Sequence, residues 1–140
     1  MANTLYDNAR EFFATGQINW VSTSTILKVN LVDTAAYTPN FTLNKWITDI
    51  PSGSIVGPTV AMATGATRKA VGGACEGGNI TFTSVTGPSI EAIIIWQDTG
   101  VAGASPLIAY IDTATGLPIS PNGGDIIISW DTGPNKIFKL

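Results

Sequence analysis

The sequence predicts an all-β protein: an antiparallel β-sandwich or jelly-roll-like barrel of about seven or eight short strands, with one short N-terminal helix. Three observations predict it. Short runs of alternating apolar and polar residues recur at fairly regular spacing, separated by Gly, Pro, Asn and Asp. Helical periodicity occurs once, near the start, and never between strands, which argues against a parallel α/β fold. With 140 residues and 44% hydrophobic content, the chain can build one ordinary core, and no linker divides it. Residues 1–140 are therefore expected to form a single domain.

The helix is expected over residues 4–15. Leu5, Ala9, Phe12 and Phe13 recur at helical spacing and make one apolar stripe. Thr4 serves as the expected N-cap, Asp7 takes the capping-box position, and Gly16 is the C-terminal stop. A helix this short is marginal alone, so its phenylalanine pair must pack on something. A sheet of the same chain is the default surface, and a neighbouring subunit is the alternative.

After Gly16 the period shortens. Ile18 to Val21 starts a strand, which the polar run Ser22-Thr23-Ser24-Thr25 interrupts. Ile26 to Asp33 then alternates, with Leu27, Val29 and Leu31 on one face and Lys28 and Asn30 on the other, the pattern of a strand with one wet face. Phe41 to Ile50 is irregular and closes on the turn signal Pro51-Ser52-Gly53. Ile55 to Ala63 reads as a strand whose Gly57-Pro58 demands an edge or a bulge.

The second half is clearer. Asn79 to Val85 alternates, Gly87-Pro88 turns the chain, and Ile90 to Gln97 follows as a strong strand. Its run Ile93-Ile94-Ile95-Trp96 suggests a central strand buried on both faces. Leu107 to Ile111 is the next strand. Gly116-Leu117-Pro118 and Pro121-Asn122-Gly123-Gly124 frame a connection with turn chemistry. Asp125 to Trp130 and Lys136 to Leu140 complete the set.

Charge is scarce. Only 12% of residues are charged, about half the usual share. A neutral polar surface of Thr, Ser, Asn and Gly suits a protein packed against copies of itself or a partner. Net charge is -3, and the basic residues Arg10, Lys28, Lys45, Arg68, Lys69, Lys136 and Lys139 are scattered, so nucleic acid is not an expected partner. Arg68 and Lys69, the one adjacent pair, read as a solvated loop. Cys75 is the sole cysteine, so no intrachain disulfide forms. Its stretch, Gly72 to Gly78, reads as a flexible loop in which Cys75 is a small semi-buried residue rather than a reactive thiol. The opening Met1-Ala2-Asn3-Thr4 lacks the features of a signal peptide, and no apolar run approaches the roughly 18 residues of a membrane span.

The sequence offers little for catalysis, and no catalytic, cofactor-binding or metal-binding residue is expected. Histidine is absent, which removes Ser-His and Cys-His pairs and the commonest general base near neutral pH. One cysteine makes no thiolate metal cluster. Two Asp-Thr-Gly triplets, Asp98-Thr99-Gly100 and Asp131-Thr132-Gly133, match the triplet of aspartic proteases, whose paired carboxylates share one proton. They lie only 33 positions apart, too close for two separate lobes, and a dimeric protease would need just one. Asp-Thr-Gly at a strand end is ordinary turn chemistry. Trp20, Trp46, Trp96 and Trp130 offer aromatic surface for a glycan-binding module, with Trp46 the best exposed candidate and Trp96 a core residue.

Residues 1–20, from Met1-Ala2-Asn3-Thr4 through Gly16-Gln17-Ile18-Asn19-Trp20, resemble the N-terminus of small virion proteins of tailed bacteriophages. So does the run Ser105-Pro106-Leu107-Ile108-Ala109-Tyr110-Ile111-Asp112-Thr113-Ala114-Thr115-Gly116-Leu117-Pro118. It continues through Pro121-Asn122-Gly123-Gly124-Asp125 to Trp130 and the terminal Ile137-Phe138-Lys139-Leu140. Leu31 to Tyr37 and Ile50 to Gly53 add weaker echoes, and the likeness is least clear from Val56 to Glu76.

The resemblance implies a capsid cement or decoration protein, bound outside an HK97-type shell as a homodimer or homotrimer. Its partners would be the major capsid protein and itself, without membrane, nucleic acid or cofactor. Its place would be the capsid exterior, after assembly in the host cytoplasm. Similar short proteins also occur as tail- or fibre-associated components. The terminal segments, with Phe12, Phe13 and Phe138, are candidate binding arms, and a core role for the same residues stands beside that reading.

Overall fold

The computed structural model describes residues 3–64 and 67–140. Among them run ten strands and one α-helix: β1 (Thr4–Leu5), α1 (Asp7–Ala14), β2 (Ile26–Val32), β3 (Ile55–Ala61), β4 (Lys69–Val71), β5 (Ala74–Glu76), β6 (Ile80–Phe82), β7 (Ala92–Asp98), β8 (Leu107–Ile111), β9 (Ile126–Ile128) and β10 (Phe138–Lys139). The strand number exceeds the expected seven or eight because tertiary pairing recruits pieces of two or three residues, too short to show a period. A five-stranded sheet has the order β1-β8-β7-β2-β3, and two smaller sheets, β10-β5-β4 and β6-β9, complete an antiparallel β-sandwich. No helix among the described residues is long and apolar enough to cross a membrane.

The centre of the large sheet is the β2–β7 ladder, which runs without interruption from Ile26↔Asp98 to Val32↔Ala92. Its register puts Leu27, Val29 and Leu31 on one face with Ile93 and Ile95, and Ala109 of β8 joins them. All are buried. Burying one such isoleucine or leucine contributes about 1.5–3 kcal/mol. The strand carrying Ile93-Ile94-Ile95-Trp96 is central and buried on both faces, as its composition implies. β3 is an edge strand whose pairing with β2 shifts register between Val29 and Leu31, satisfying both conditions that Gly57-Pro58 imposed.

The second face of β2 is not wet as expected. Asn30 is 1% exposed, and Val32, Ala92 and Ile94 are fully buried. The segment after β2 folds back and sets Phe41 and Tyr37 against Tyr110, with ring centroids 5.7 and 6.4 Å apart. Asn30 is kept inside by hydrogen bonds: its Oδ1 accepts from Trp96 Nε1 at 2.7 Å, and its Nδ2 donates to Thr59 Oγ1 at 2.7 Å. A buried amide satisfied on both sides is compatible with a core; an unsatisfied one is costly.

The N-terminal expectation needs correction. Thr4 does not cap a helix. Thr4 and Leu5 form β1, opposite Tyr110 and Ala109 of β8. The helix starts at Asp7 after an extended Tyr6 that supplies no side-chain cap. Strand pairing buries Leu5 and Tyr6, which outweighs the small gain from one more turn on a short helix. Asp7 still favours the positive helix start, and it pairs with Arg10 at 3.0 Å. At the other end Gly16 adopts φ +78° and donates to Phe13 O, the expected stop.

Two further segments differ. Ile18 to Val21 is a turn rather than a strand: Asn19 Oδ1 accepts from the backbone N–H of Val21 and Ser22, while Ile18 and Trp20 are buried in the core. Gly72 to Gly78 is not a flexible loop. Gly72 and Gly73, with φ of +60° and +82°, form the two-residue turn of the β4–β5 hairpin, a conformation that requires positive φ at both positions. β8 has the expected bounds, but other strands are shorter than their periodic runs; Asn79 to Val85 contributes only Ile80–Phe82, and Asp125 to Trp130 only Ile126–Ile128.

Candidate functional site

The four tryptophans are the first candidates, and the fold uses each of them. Trp20 donates its indole N–H to Glu76 O at 2.8 Å and meets the Phe138 ring edge-on at 5.1 Å. Trp96 donates to Asn30, and Trp130 to Gly78 O at 2.9 Å. Trp46 is half-buried, with its ring 5.6 Å from that of Phe12 and its backbone bridged to Pro106. A sugar-stacking platform needs an open ring face; here three indole N–H groups point inward and the fourth ring is packed against Phe12.

Both Asp-Thr-Gly triplets are turns. Asp98 Oδ1 accepts from Gly100 N at 2.8 Å, and Asp131 Oδ1 accepts from Gly133 N at 3.1 Å. This is the Asx-turn bond expected of Asp two residues before Gly. Asp98 also pairs with Lys28 at 2.6 Å, and Lys28 lies 5.6 Å above the Trp96 ring. The Lys28 ammonium, with help from the Gly100 N–H, holds the Asp98 carboxyl below its ordinary range. A proton-sharing dyad needs a second carboxylate in that place, and an ammonium stands there instead.

Cys75 and Arg68 are both placed differently from expectation. Cys75 belongs to β5, is fully buried, and has its thiol pushed up to about 11 by that burial. Such a thiol is a packing residue, because the nucleophile is the thiolate. Arg68 is no solvated loop residue: it is 2% exposed, and its Nη2 donates to Ser22 O and Thr25 O at 2.7 and 2.8 Å. It thereby fastens the polar turn ahead of β2. Desolvation lowers its pKa, and its Nε and Nη1 find no acceptor among the described residues. Its neighbour Lys69 is exposed, as expected. A buried arginine beside an exposed lysine leaves no trace in composition, because only the fold separates them.

The two chain ends meet. Phe13 of α1 packs against Phe138 of β10 with centroids 6.0 Å apart, so the aromatic residues proposed for arms lie against the body. An open cleft of about 1000 Å³ remains between them, with Leu5, Phe13 and Ala109 on its walls and Arg10, Lys136 and Lys139 at its sides. Lys136 is drawn toward Glu76 at 3.6 Å and Thr132 O at 3.2 Å. Among the described residues no group of three or more potential metal-ligating side chains comes together.

Large aliphatic side chains stand in solvent instead. Leu43 and Val71 are each 73% exposed, Ile127 64%, Val101 63% and Leu140 55%. Single exposed aliphatics are common, but a chain with so little charge has few charged neighbours to keep them apart from other proteins. The chemistry this surface supports is contact: apolar burial, neutral hydrogen bonding and strand pairing. No family model matches the chain, and no curated protein matches it.

Proposed function

We propose that this chain is a structural protein of a tailed-bacteriophage particle, acting as a capsid cement protein that binds the outside of the shell and bridges its subunits. The observation that carries a structural role is the surface: exposed aliphatic residues on a sandwich whose charged residues are only 12% of the chain. The phage assignment rests on the resemblance of the N-terminal and C-terminal runs. In this reading the protein binds the assembled, expanded shell and not its precursor, so linkage stabilises the expanded form. Contacts that are weak singly become strong when one oligomer touches several subunits at once.

Copy number in purified particles, measured by quantitative mass spectrometry against the major capsid protein, tests this. Near-stoichiometric amounts are expected. A few copies per particle, remaining with isolated tails, would overturn the cement role in favour of a tail component.

A further inference from the structure

We infer that β4 is a self-pairing edge, and that two copies join through it into one continuous sheet. The inference deepens the self-association in the proposed function and rests on that reading. β4 ends the small sheet β10-β5-β4, and all three of its residues, Lys69, Ala70 and Val71, are exposed. The two-residue turn fixes which backbone groups are free. In such a hairpin the closing pair, Val71 and Ala74, exchanges hydrogen bonds, so the N–H and C=O of Ala70 point away from β5. No backbone bond among the described residues reaches them from elsewhere.

Around this edge lies a patch of exposed apolar side chains. Val21, Ala70 and Leu140 line one shallow depression beside Trp20 and Cys75. Leu140 is tied to the hairpin turn through its N–H to Gly73 O and shares the face of Ala70 and Cys75, while Val71 stands on the opposite face with Ala74 and Lys139. Val21, Val71 and Leu140 are 46%, 73% and 55% exposed. The edge is short and carries one lysine, but the unpaired N–H and C=O of Ala70, flanked by apolar residues, can still receive an extended partner.

A second copy fits because the edge is complementary to itself. An antiparallel pair centred on Ala70 sets Ala70 opposite Ala70 of the other copy, with two backbone hydrogen bonds between them. Lys69 then faces Val71, so the two lysines lie at opposite ends and do not meet. Lys69 is also within 4.0 Å of its own Glu76, a carboxylate it shares with Lys136 at 3.6 Å, which partly offsets its charge. The contact is small, roughly half of the ~800 Å² per partner typical of a stable complex. Pairing is therefore expected at high local concentration, as on a particle surface, and weakly in dilute solution.

Sedimentation equilibrium across a concentration series tests this on the full chain. The unchanged protein should dimerise. Val71→Lys places like charges opposite each other twice and should weaken the dimer by about tenfold or more, whereas Val71→Glu, facing Lys69, should retain it. Ala70→Cys in a Cys75→Ala background, which removes the thiol directly opposite position 70 in the same hairpin, should form a disulfide-linked dimer under mild oxidation. Circular dichroism confirms that each variant folds. A dimer indifferent to Val71→Lys, with no cross-link at position 70, overturns this surface and leaves self-association standing. A monomer at every concentration overturns both.

Discussion

The β2–β7 ladder and the β4–β5 hairpin are both antiparallel pairs, yet they do opposite work. Seven residue pairs hold β2 to β7, and the buried side chains of the ladder serve the core on either side of the sheet. β4 and β5 share three pairs; β5 buries Ala74 and Cys75, while β4 buries nothing. The same pairing geometry thus gives an interior in one place and a surface in the other. What differs is whether a second layer covers the strand. In a chain with so little charge, an uncovered strand stays sticky.

That contrast can be broken from the inside first. Ile94→Ala, in the middle of the ladder, should lower unfolding stability by about 2–5 kcal/mol, read by urea denaturation. A loss below 1 kcal/mol would mean that the central strand is less tightly packed than its burial indicates. Asn30→Ala comes next. It leaves the Trp96 indole N–H without its acceptor in a buried site, for a loss of about 1–3 kcal/mol. Unchanged Trp96 fluorescence and stability would show that this polar face is open to water.

A smaller effect is expected where the ladder reaches solvent. Asp98→Asn removes the partner of Lys28 and should cost on the order of 0.5–1 kcal/mol near neutral pH. The native carboxyl is held below its ordinary value, so its contribution is present above the unfolded pKa of about 4 and lost as pH falls through the folded value. Acid unfolding of Asp98→Asn should accordingly depend less on pH below about 4 than that of the parent; parallel curves would show that the pair adds nothing. The smallest change belongs to the surface. Ile127→Thr, at a site 64% exposed, should alter stability by less than about 0.5 kcal/mol while reducing non-specific association in light scattering.

Much of the fold was legible in the residues. Leu107 to Ile111 is the strand its composition predicts, β2 differs from its expected range by one residue, and both Asp-Thr-Gly triplets are the turns their chemistry favours. Those features are local: alternation, turn residues and a run of isoleucines act within a few positions of themselves. Of the candidate residues, the core assignment of Trp96 and the unreactive character of Cys75 were also readable, because bulk and apolarity set both.

Other features could be settled only in three dimensions. Thr4 and Leu5 became a strand because the edge of β8 was there to receive them. Asn30 became interior because Trp96 and Thr59 arrived from 66 and 29 residues away to bond it. Arg68 was buried because the turn ahead of β2 offered two carbonyls, while Lys69 beside it stayed in water. By itself the sequence determined which segments could be strands and turns. The tertiary structure decided which strand faces were covered and which edges were left open, because burial and partner supply depend on residues distant in the chain.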